Sequence, residues 1–339
     1  MSPLDQHLLP LEPQYRERVW GGQTLRAADP PIGEAWIAFG PSRVAGGRLA
    51  GRTLDELVAG YGPALLGTAV EDRFGGRFPL LVKLIDPAAW LSVQVHPNDE
   101  QARRIVGPRE FGKTEGWYFI SAKAGAQVMV GIEPGVDGTE LAAAMREGRI
   151  LEVAHRLVVQ DGDALLIPAG TLHALGPGLL LYEIQQASDT TFRIYDWDRP
   201  PSAGRRLHIE EAAEVTLPVG PAELKHPRVS GETAASLAIG CPYFNLDLIR
   251  VSPAGGPLAA DTAGRKFHVV TVIEGTAEIR RDTEQIGLGI FESALVTGSA
   301  GAYEVTAVGG PARLLRAEVP DGDPNAARAP AAEVERGPG

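Results

Sequence analysis

The chain has 339 residues, enough for one large or two modest domains, and its hydrophobic content of 44% is ordinary for a soluble globular protein. The 43 acidic and 32 basic residues give a formal net charge of −11, which argues against a nucleic acid or an anionic membrane as a partner. One cysteine excludes an intrachain disulfide framework and a multi-cysteine zinc site. No signal peptide and no apolar run of about 18 residues is present, so we expect a soluble cytoplasmic protein.

Short apolar runs separated by glycine and proline dominate the chain. The 41 glycines and 27 prolines give the frequent turn signals that are typical of an all-β sandwich or barrel. Strand-like runs include PLLVKLID (79–86), GWYFISA (116–122) and GLLLYEIQQ (178–186). Helical spacing is confined to small pieces, notably 53–67 and 137–158. We therefore expect a mainly β fold with a small helical insertion.

A change of composition at residues 217–228 predicts a domain boundary, because a proline-rich stretch is followed there by a second set of strand-like runs. We predict a first domain at 1–218 and a smaller β domain at 219–320. The tail, 321–339, is rich in alanine, proline, glycine and charge. It has too few apolar side chains to offset the entropy of ordering, and we expect it to be flexible.

A glutamine and a histidine lie two residues apart in the strand-like run LSVQVH (91–96). Because alternate side chains of a strand point to opposite faces, the apolar residues share one face and the polar residues share the other. The polar set is Ser92, Gln94 and His96. One face of this strand is therefore available for binding.

The stretch GDALLIPAGTLH (162–173) predicts a strand that enters a tight glycine turn and delivers His173 just beyond it. Its spacing resembles the second motif of the cupins, jelly-roll proteins that hold a metal inside the barrel. In KTEGWY (113–118), Lys113 and Glu115 share one face. Two imidazoles, one carboxylate and one amide oxygen suit Zn²⁺ in a site open to substrate. A single histidine is more often an ordinary polar residue than a metal ligand. The presence of two histidines together with Gln94 and Glu115 favours a metal site.

The stretch 179–200 carries Glu183 on one strand and Arg193 on the next. A β-hairpin with solvated charges is the simpler interpretation. However, burying an isolated charged side chain in an apolar strand is costly unless it binds a partner or a ligand. This cost favours a functional role for these charged residues. The remaining histidines lack such neighbours, and we expect ordinary polar roles for His7, His155, His208, His226 and His268.

Together with RVWGG (18–22) and IGEAWIAFG (32–40), these motifs closely resemble the short bacterial form of type I mannose-6-phosphate isomerase, a zinc-dependent cupin family. The matches run in family order from about Arg18 to Asp198. The rest is similar only in general character, as a second cupin-like domain. The resemblance implies a mainly β fold of two cupin-type jelly-roll (double-stranded β-helix) domains, of which the second has no metal motif.

The resemblance also implies a set of site residues. One Zn²⁺ per chain would be bound by His96, Glu115 and His173, with Gln94 as a fourth ligand. The catalytic residues would be Arg193 and Lys113. The contacts to the sugar phosphate would come from Ser92, Glu183, Asp189 and Trp20.

The implied reaction interconverts D-mannose 6-phosphate and D-fructose 6-phosphate through a cis-enediol, with Zn²⁺ stabilising negative charge on the substrate oxygens. Lys113 would either move the proton or contact phosphate and sugar oxygens; Glu183 and a water at the metal are alternative bases. Arg193 would stabilise phosphate or enediolate. Because the whole chain is acidic, a local patch of Arg193, Lys113 and Arg199 or Lys83 would have to attract the phosphate.

Two other functions fit the motifs. A non-catalytic cupin that binds a sugar phosphate would keep the pocket but would be expected to have lost a metal ligand or Arg193. The sequence retains all of these residues. An iron or copper cupin dioxygenase would need an oxygen-reactive metal, whereas the Gln-x-His pair and the cations favour a zinc isomerase. The breadth of substrates and the oligomeric state are left open.

Overall fold

The computed structural model describes residues 4–200 and 205–321, and it is mainly β, which confirms the predicted fold class. The predicted flexible tail lies outside the described residues apart from Asp321. No helix within the described ranges is both long and apolar enough to cross a bilayer.

The elements before residue 217 alternate between strands and short helices. The strands are β1 (Leu8–Pro10), β2 (Gln14–Gly22), β3 (Ile32–Ala38), β4 (Leu80–Ile85), β5 (Val93–Val95), β6 (Glu115–Ala122), β7 (Gln127–Ile132), β8 (Ala154–Val158), β9 (Ala164–Ile167), β10 (His173–Leu175), β11 (Leu179–Gln186) and β12 (Phe192–Tyr195). The helices are α1 (Leu54–Tyr61), α2 (Pro63–Leu66), α3 (Thr68–Phe74), α4 (Asp99–Ile105), α5 (Gly138–Arg146), α6 (Ile150–Val153) and α7 (Ile209–Val215).

Strands β2 to β12 form two antiparallel sheets, in the orders β2-β3-β4-β11-β6-β9 and β12-β5-β10-β7-β8. Ile85 and Trp117 of the first sheet share one buried apolar cluster with Val128 and Leu175 of the second, so the two sheets pack face to face. Every residue of β4 and β11 is buried, including the charged side chains of Lys83 and Glu183. The space between the two sheets is where the site lies.

The strands after residue 233 are β13 (Ala234–Gly240), β14 (Asn245–Val251), β15 (Leu258–Asp261), β16 (His268–Glu274), β17 (Ala277–Arg281), β18 (Glu284–Leu288), β19 (Ser293–Val296), β20 (Ala302–Ala307) and β21 (Ala312–Glu318). They form sheets in the orders β1-β19-β16-β21-β14-β13 and β15-β20-β17-β18. The N-terminal strand β1 therefore pairs across the predicted boundary, with β19. The exact division into two jelly-roll domains stays a prediction.

Both predicted helical stretches are present, but each is interrupted. Residues 53–67 divide into α1 and α2 at Gly62, and α1 begins with a capping box in which Thr53 and Glu56 bond each other's backbone. The prediction of a helix over the whole of 137–158 is wrong at its end, because Ala154–Val158 forms β8. This segment alternates in burial and pairs with the edge of β7, so sheet pairing outweighs the local helical spacing.

The two sheet pairs are joined by close backbone contact at Gly67 and Gly298. A Cβ atom on Gly298 would lie 2.2 Å from the amide nitrogen of Gly67, which is closer than real Cβ atoms approach backbone. A Cβ on Gly67 would lie 2.1 Å from the carbonyl carbon of Arg265, and Gly67 also has a φ of 89°. The junction therefore requires glycine on both sides.

We predict that Gly298→Ala lowers the free energy of unfolding by about 1–3 kcal/mol, because the added methyl group forces two backbones apart. Equilibrium unfolding in urea measures the loss. The matched control is Gly287→Ala, an exposed position with no atom within 4 Å of the new Cβ, where we expect a change within about 0.5 kcal/mol. Equal effects at the two positions would contradict the close contact.

Candidate metal centre and substrate pocket

Three side chains suited to bind a metal converge between the first two sheets. His96 follows β5, Glu115 begins β6 and His173 begins β10. One donor atom from each residue lies within 4.8 Å of the other two, and each residue is only 1% exposed. The structure thus brings together the three residues that the sequence predicted as principal metal ligands.

The register of the strands explains this meeting. Gln94 of β5 lies in one row of the sheet between Arg193 of β12 and His173 of β10. Glu115 comes from β6 in the other sheet. Because side chains alternate along a strand, Val93 faces away and joins an apolar cluster with the helices α5 and α7. The polar and apolar faces predicted for this strand are therefore both used.

The turn before β10 fixes the orientation of His173. Gly170 has a φ of 85°, in the left-handed region that favours glycine, and its N–H donates to the carbonyl of His96 over 2.8 Å. Nδ1 of His173 lies 2.9 Å from the carbonyl oxygen of Thr171, to which it donates its hydrogen. The unprotonated Nε2 is therefore left to face Glu115, 3.4 Å from its Oε2.

Two lone pairs face each other at this contact, since Nε2 of His173 and the carboxylate of Glu115 are both acceptors. Oε2 of Glu115 and Nδ1 of His96 are buried without a hydrogen-bond partner among the described residues. Buried polar atoms without partners are costly. A divalent cation would satisfy the oxygen of Glu115 and the lone pair of His173, and two imidazole nitrogens with a carboxylate oxygen are donors that Zn²⁺ accepts. The residues present therefore fit a metal ion.

The protonation states also suit a cation. Burial, reinforced by Lys113, lowers the pKa of His96 to about 3, and burial lowers the pKa of His173, so both imidazoles are neutral. Burial alone would raise the pKa of Glu115, but the charge of Lys113 lowers it well below its usual range. The cluster therefore presents two neutral imidazoles and one charged carboxylate, the forms in which these groups bind metals.

Gln94 and Lys113 complete the surroundings of the cluster. The amide nitrogen of Gln94 lies 3.2 Å from Nε2 of His173, and its oxygen accepts from Ser92. Turning the amide over exchanges these two atoms and would direct the oxygen at the cluster. Nζ of Lys113 lies 2.9 Å from Oε1 of Glu115 and 3.1 Å from Nε2 of His96. A charged amine is thus held directly beside the candidate ligands.

A cavity of about 370 Å³ opens onto this cluster. Its wall includes the residues predicted for catalysis, metal binding and substrate contact, apart from His96: Trp20, Ser92, Gln94, Lys113, Glu115, His173, Glu183, Asp189 and Arg193. His96 is buried against Lys113 and Glu115. The structure therefore gathers all the predicted site residues around one cavity.

Glu183 lies on the cavity wall with both oxygens engaged. Oε1 accepts from Lys83 over 2.8 Å, and Oε2 accepts from the indole N–H of Trp117 over 2.9 Å. Burial and the nearby charge of Glu115 raise the pKa of Glu183. Burial alone would lower the pKa of Lys83, but Glu183 and Glu34 outweigh it and raise that pKa. Lys83 is therefore committed to a buried ion pair rather than to a free cationic patch.

The structure does not place Arg199 on the cavity wall. Its guanidinium donates to Asp196 and to the carbonyl of Trp90. Arg205, which the sequence reasoning missed, lines the cavity instead. Two adjacent arginines stand at positions 205 and 206, and nothing in the sequence tells which of them faces the site. The reasoning also missed Arg18 and Glu34, a short ion pair on the opposite wall.

His208, expected to have an ordinary polar role, holds the backbone of Arg193. Its N–H donates to the carbonyl of Arg193 over 2.7 Å, and its Nδ1 accepts from the N–H of Arg193 at 3.3 Å. These two bonds tie the segment that carries Arg205 to the edge of β12. The position of Arg205 is thus coupled to that of Arg193.

Comparisons with known proteins identify relatives of this chain. The family described as "Phosphomannose isomerase type I, catalytic domain" matches residues 8–112. A Bacillus subtilis protein named "Probable mannose-6-phosphate isomerase GmuF" is 42% identical over 287 residues, which cover 80% of this chain and 88% of that protein. The solved mannose 6-phosphate isomerase from Bacillus subtilis is 29% identical, with a TM-score of 0.74 over 92% of this chain and 99% of the other.

A solved structure named "mannose 6-phosphate isomerase (holo; zinc bound)" has the same fold, with a TM-score of 0.74 over 92% of this chain and 99% of the other, at 17% identity. That identity supports the fold alone, whereas the identity and coverage of the Bacillus subtilis relative establish the family. The chain belongs to the mannose-6-phosphate isomerase family of enzymes.

Proposed function

We propose that the protein interconverts D-mannose 6-phosphate and D-fructose 6-phosphate, with one Zn²⁺ per chain bound by His96, Glu115 and His173. The observation that carries the proposal is the buried three-residue cluster beside Lys113 at a polar cavity that also exposes Arg193. The names of the relatives support the substrate, and the zinc-bound isomerase structure of the same fold supports zinc as the metal.

Gln94 is proposed as a fourth ligand through its amide oxygen, because the amide already lies within 3.2 Å of His173. When bound, the metal would supply a positive charge that polarises the substrate oxygens at C1 and C2 and stabilises the developing enediolate. Ser92, Trp20, Glu183 and Asp189 line the same cavity and are proposed to contact the sugar phosphate.

The reaction removes a proton from C2 of the open-chain aldose, forms a cis-enediol and returns a proton to C1. We assign this transfer to Nζ of Lys113, which lies on the cavity wall next to two of the ligands. Glu183 is the alternative, but both of its oxygens already accept hydrogen bonds, from Lys83 and Trp117. Lys113 would accept the proton in its neutral form, and its Nζ contacts Glu115 and His96 directly beside the proposed metal.

Arg193 is proposed to stabilise negative charge on the substrate. Its guanidinium stays charged at neutral pH and is a poor base, so its role is electrostatic. Its Nε is buried without a hydrogen-bond partner among the described residues, and its side chain lines the cavity. The side chain forms no ion pair with any described residue, so the guanidinium that it presents at the cavity wall is proposed to bind an oxygen of the substrate.

We predict that removing the metal lowers the rate of conversion of mannose 6-phosphate to fructose 6-phosphate at least about 100-fold, and that Zn²⁺ restores it. A coupled assay of fructose 6-phosphate formation measures the rate before chelation, after it and after the addition of Zn²⁺. His173→Ala should also lose bound zinc, measured by elemental analysis. The control His155→Ala, a partly exposed histidine paired with Glu133, should keep it. Full turnover by the metal-free protein would exclude the proposal.

We predict that Lys113→Gln lowers kcat at least about 100-fold while zinc content stays unchanged, because the variant keeps a polar side chain of similar length but cannot transfer a proton. Steady-state kinetics and metal analysis of the same preparation measure both quantities. Lys123→Gln, at an exposed lysine outside the cavity, is the matched control and should behave like the unaltered protein. A higher KM with normal kcat would instead make Lys113 a binding residue.

A further inference from the structure

The cavity has five cationic side chains on its wall, and the structure separates them into two groups: Arg18, Lys83, Lys113, Arg193 and Arg205. Three of them are neutralised by carboxylates on the same wall. The pairs are Arg18 with Glu34 at 2.6 Å, Lys83 with Glu183 at 2.8 Å and Lys113 with Glu115 at 2.9 Å. These three cations contribute little net charge to an incoming anion.

Arg193 and Arg205 differ from the other three. Arg193 makes no ion pair within the described ranges, and its buried Nε has no hydrogen-bond partner there. Arg205 pairs with Asp196, but that carboxylate is shared with Arg199, so two guanidiniums face one negative charge. Glu17 and Asp189 also line the cavity, yet neither forms an ion pair with an arginine in the part of the chain that the structure describes. Asp196 and Asp189 act electrostatically on Arg193, but neither forms an ion pair with it, so its guanidinium is left unpaired at this end of the cavity.

The hydrogen bonds of Arg205 leave one edge of its guanidinium free. Nε and Nη2 bind the two oxygens of Asp196 at 2.7 and 3.2 Å, and Nη2 also donates to the hydroxyl of Ser92 at 3.3 Å. Nη1 makes no hydrogen bond to any described residue, so its two N–H groups are available. Asp196 is 6% exposed and holds the fork in a fixed orientation.

We propose that Arg205, positioned by Asp196, binds the phosphate group of the substrate together with Arg193. The proposal rests on the proposed isomerase function, since it assigns the phosphate of the same substrate. Two guanidiniums with free N–H groups match the charge and the several oxygens of a phosphate. The binding of a dianion between them would also relieve their mutual repulsion, which adds to burial in lowering the pKa of Arg193.

A chain of polar contacts joins Arg205 to the metal cluster. Arg205 donates to Ser92, Ser92 donates to Gln94, and Gln94 contacts His173. Arg205 thus lies at one end of a chain of polar contacts and the metal cluster at the other, while Arg193 lies beside Gln94 in the sheet. The sugar would place C1 and C2 at the cluster and the phosphate on C6 at the arginines. Ser92 would lie between the two ends.

The test compares Arg205→Ala, Arg205→Lys and Asp196→Asn with the control Arg206→Ala. The side chain of Arg206 is 78% exposed and pairs only with Glu211 among the described residues, so its removal should change nothing. The measurements are kcat and KM for mannose 6-phosphate, kcat/KM for unphosphorylated mannose, and the Kd of inorganic phosphate by calorimetry on the zinc-loaded protein.

We expect Arg205→Ala to lower kcat/KM for mannose 6-phosphate at least about 30-fold, mainly through KM, and to weaken phosphate binding at least about tenfold. In Arg205→Ala, kcat/KM for mannose should stay within about twofold of that of the unaltered protein, because mannose has no phosphate. Arg205→Lys keeps the positive charge but lacks the planar guanidinium, so its kcat/KM for mannose 6-phosphate should lie between those of Arg205→Ala and the unaltered protein. Asp196→Asn should weaken phosphate binding, because Arg205 loses the charged partner that holds its orientation.

Two results would overturn the proposal. One is an equal fall for mannose and mannose 6-phosphate in a folded, zinc-loaded variant, which would make Arg205 a support for Ser92 and Gln94. The other is unchanged phosphate binding in both Arg205 variants. Absence of isomerase activity in the unaltered protein would refute the proposed function instead, while calorimetry with phosphate would still decide whether Arg205 binds the anion.

Discussion

The contact between the lone pairs of Glu115 and His173 is the constraint around which the site is built. These two acceptors lie 3.4 Å apart in a fully buried position, and the hydrogen of His173 is already donated to the carbonyl of Thr171. A protein tolerates such a contact when a cation can bind there. The turn at Gly170 and the row that joins Gln94 to His173 hold this geometry in place.

Lysine side chains on the cavity wall balance the negative charge of its buried carboxylates. Lys113 neutralises Glu115, and Lys83 neutralises Glu183. Buried charges paired in this way are costly to break, which keeps the wall rigid and leaves the side chains in defined positions. The described wall carries five cationic and five carboxylate side chains, and Arg193 is the cation among them that has no ion pair. A chain with a net charge of −11 can therefore still attract an anion to one place.

Sequence reasoning succeeded where the information is local. Strand alternation assigned Gln94 and His96 to one face, and the glycine turn predicted the delivery of His173. It failed where pairing between segments distant in sequence determines the structure. Residues 154–158 have helical spacing but form a strand that pairs with β7, and β1 pairs with a strand of the second part of the chain. Arg205 was missed for the same reason, because its direction depends on Asp196 and on no local pattern.

The second pair of sheets also buries a histidine beside a glutamate, but with different hydrogen-bond partners. His268 and Glu318 lie side by side on β16 and β21, but here each acceptor finds a donor. Lys266 donates to Oε1 of Glu318 over 2.8 Å, the hydroxyl of Tyr303 lies 2.7 Å from Nδ1 of His268, and Nε2 of His268 is 3.1 Å from Oε2. With Tyr303 donating to Nδ1, Nε2 carries the hydrogen and faces the carboxylate, so two lone pairs do not meet here. A histidine and a glutamate therefore make a structural network when donors surround them, and a candidate metal centre when a backbone carbonyl takes the imidazole hydrogen first.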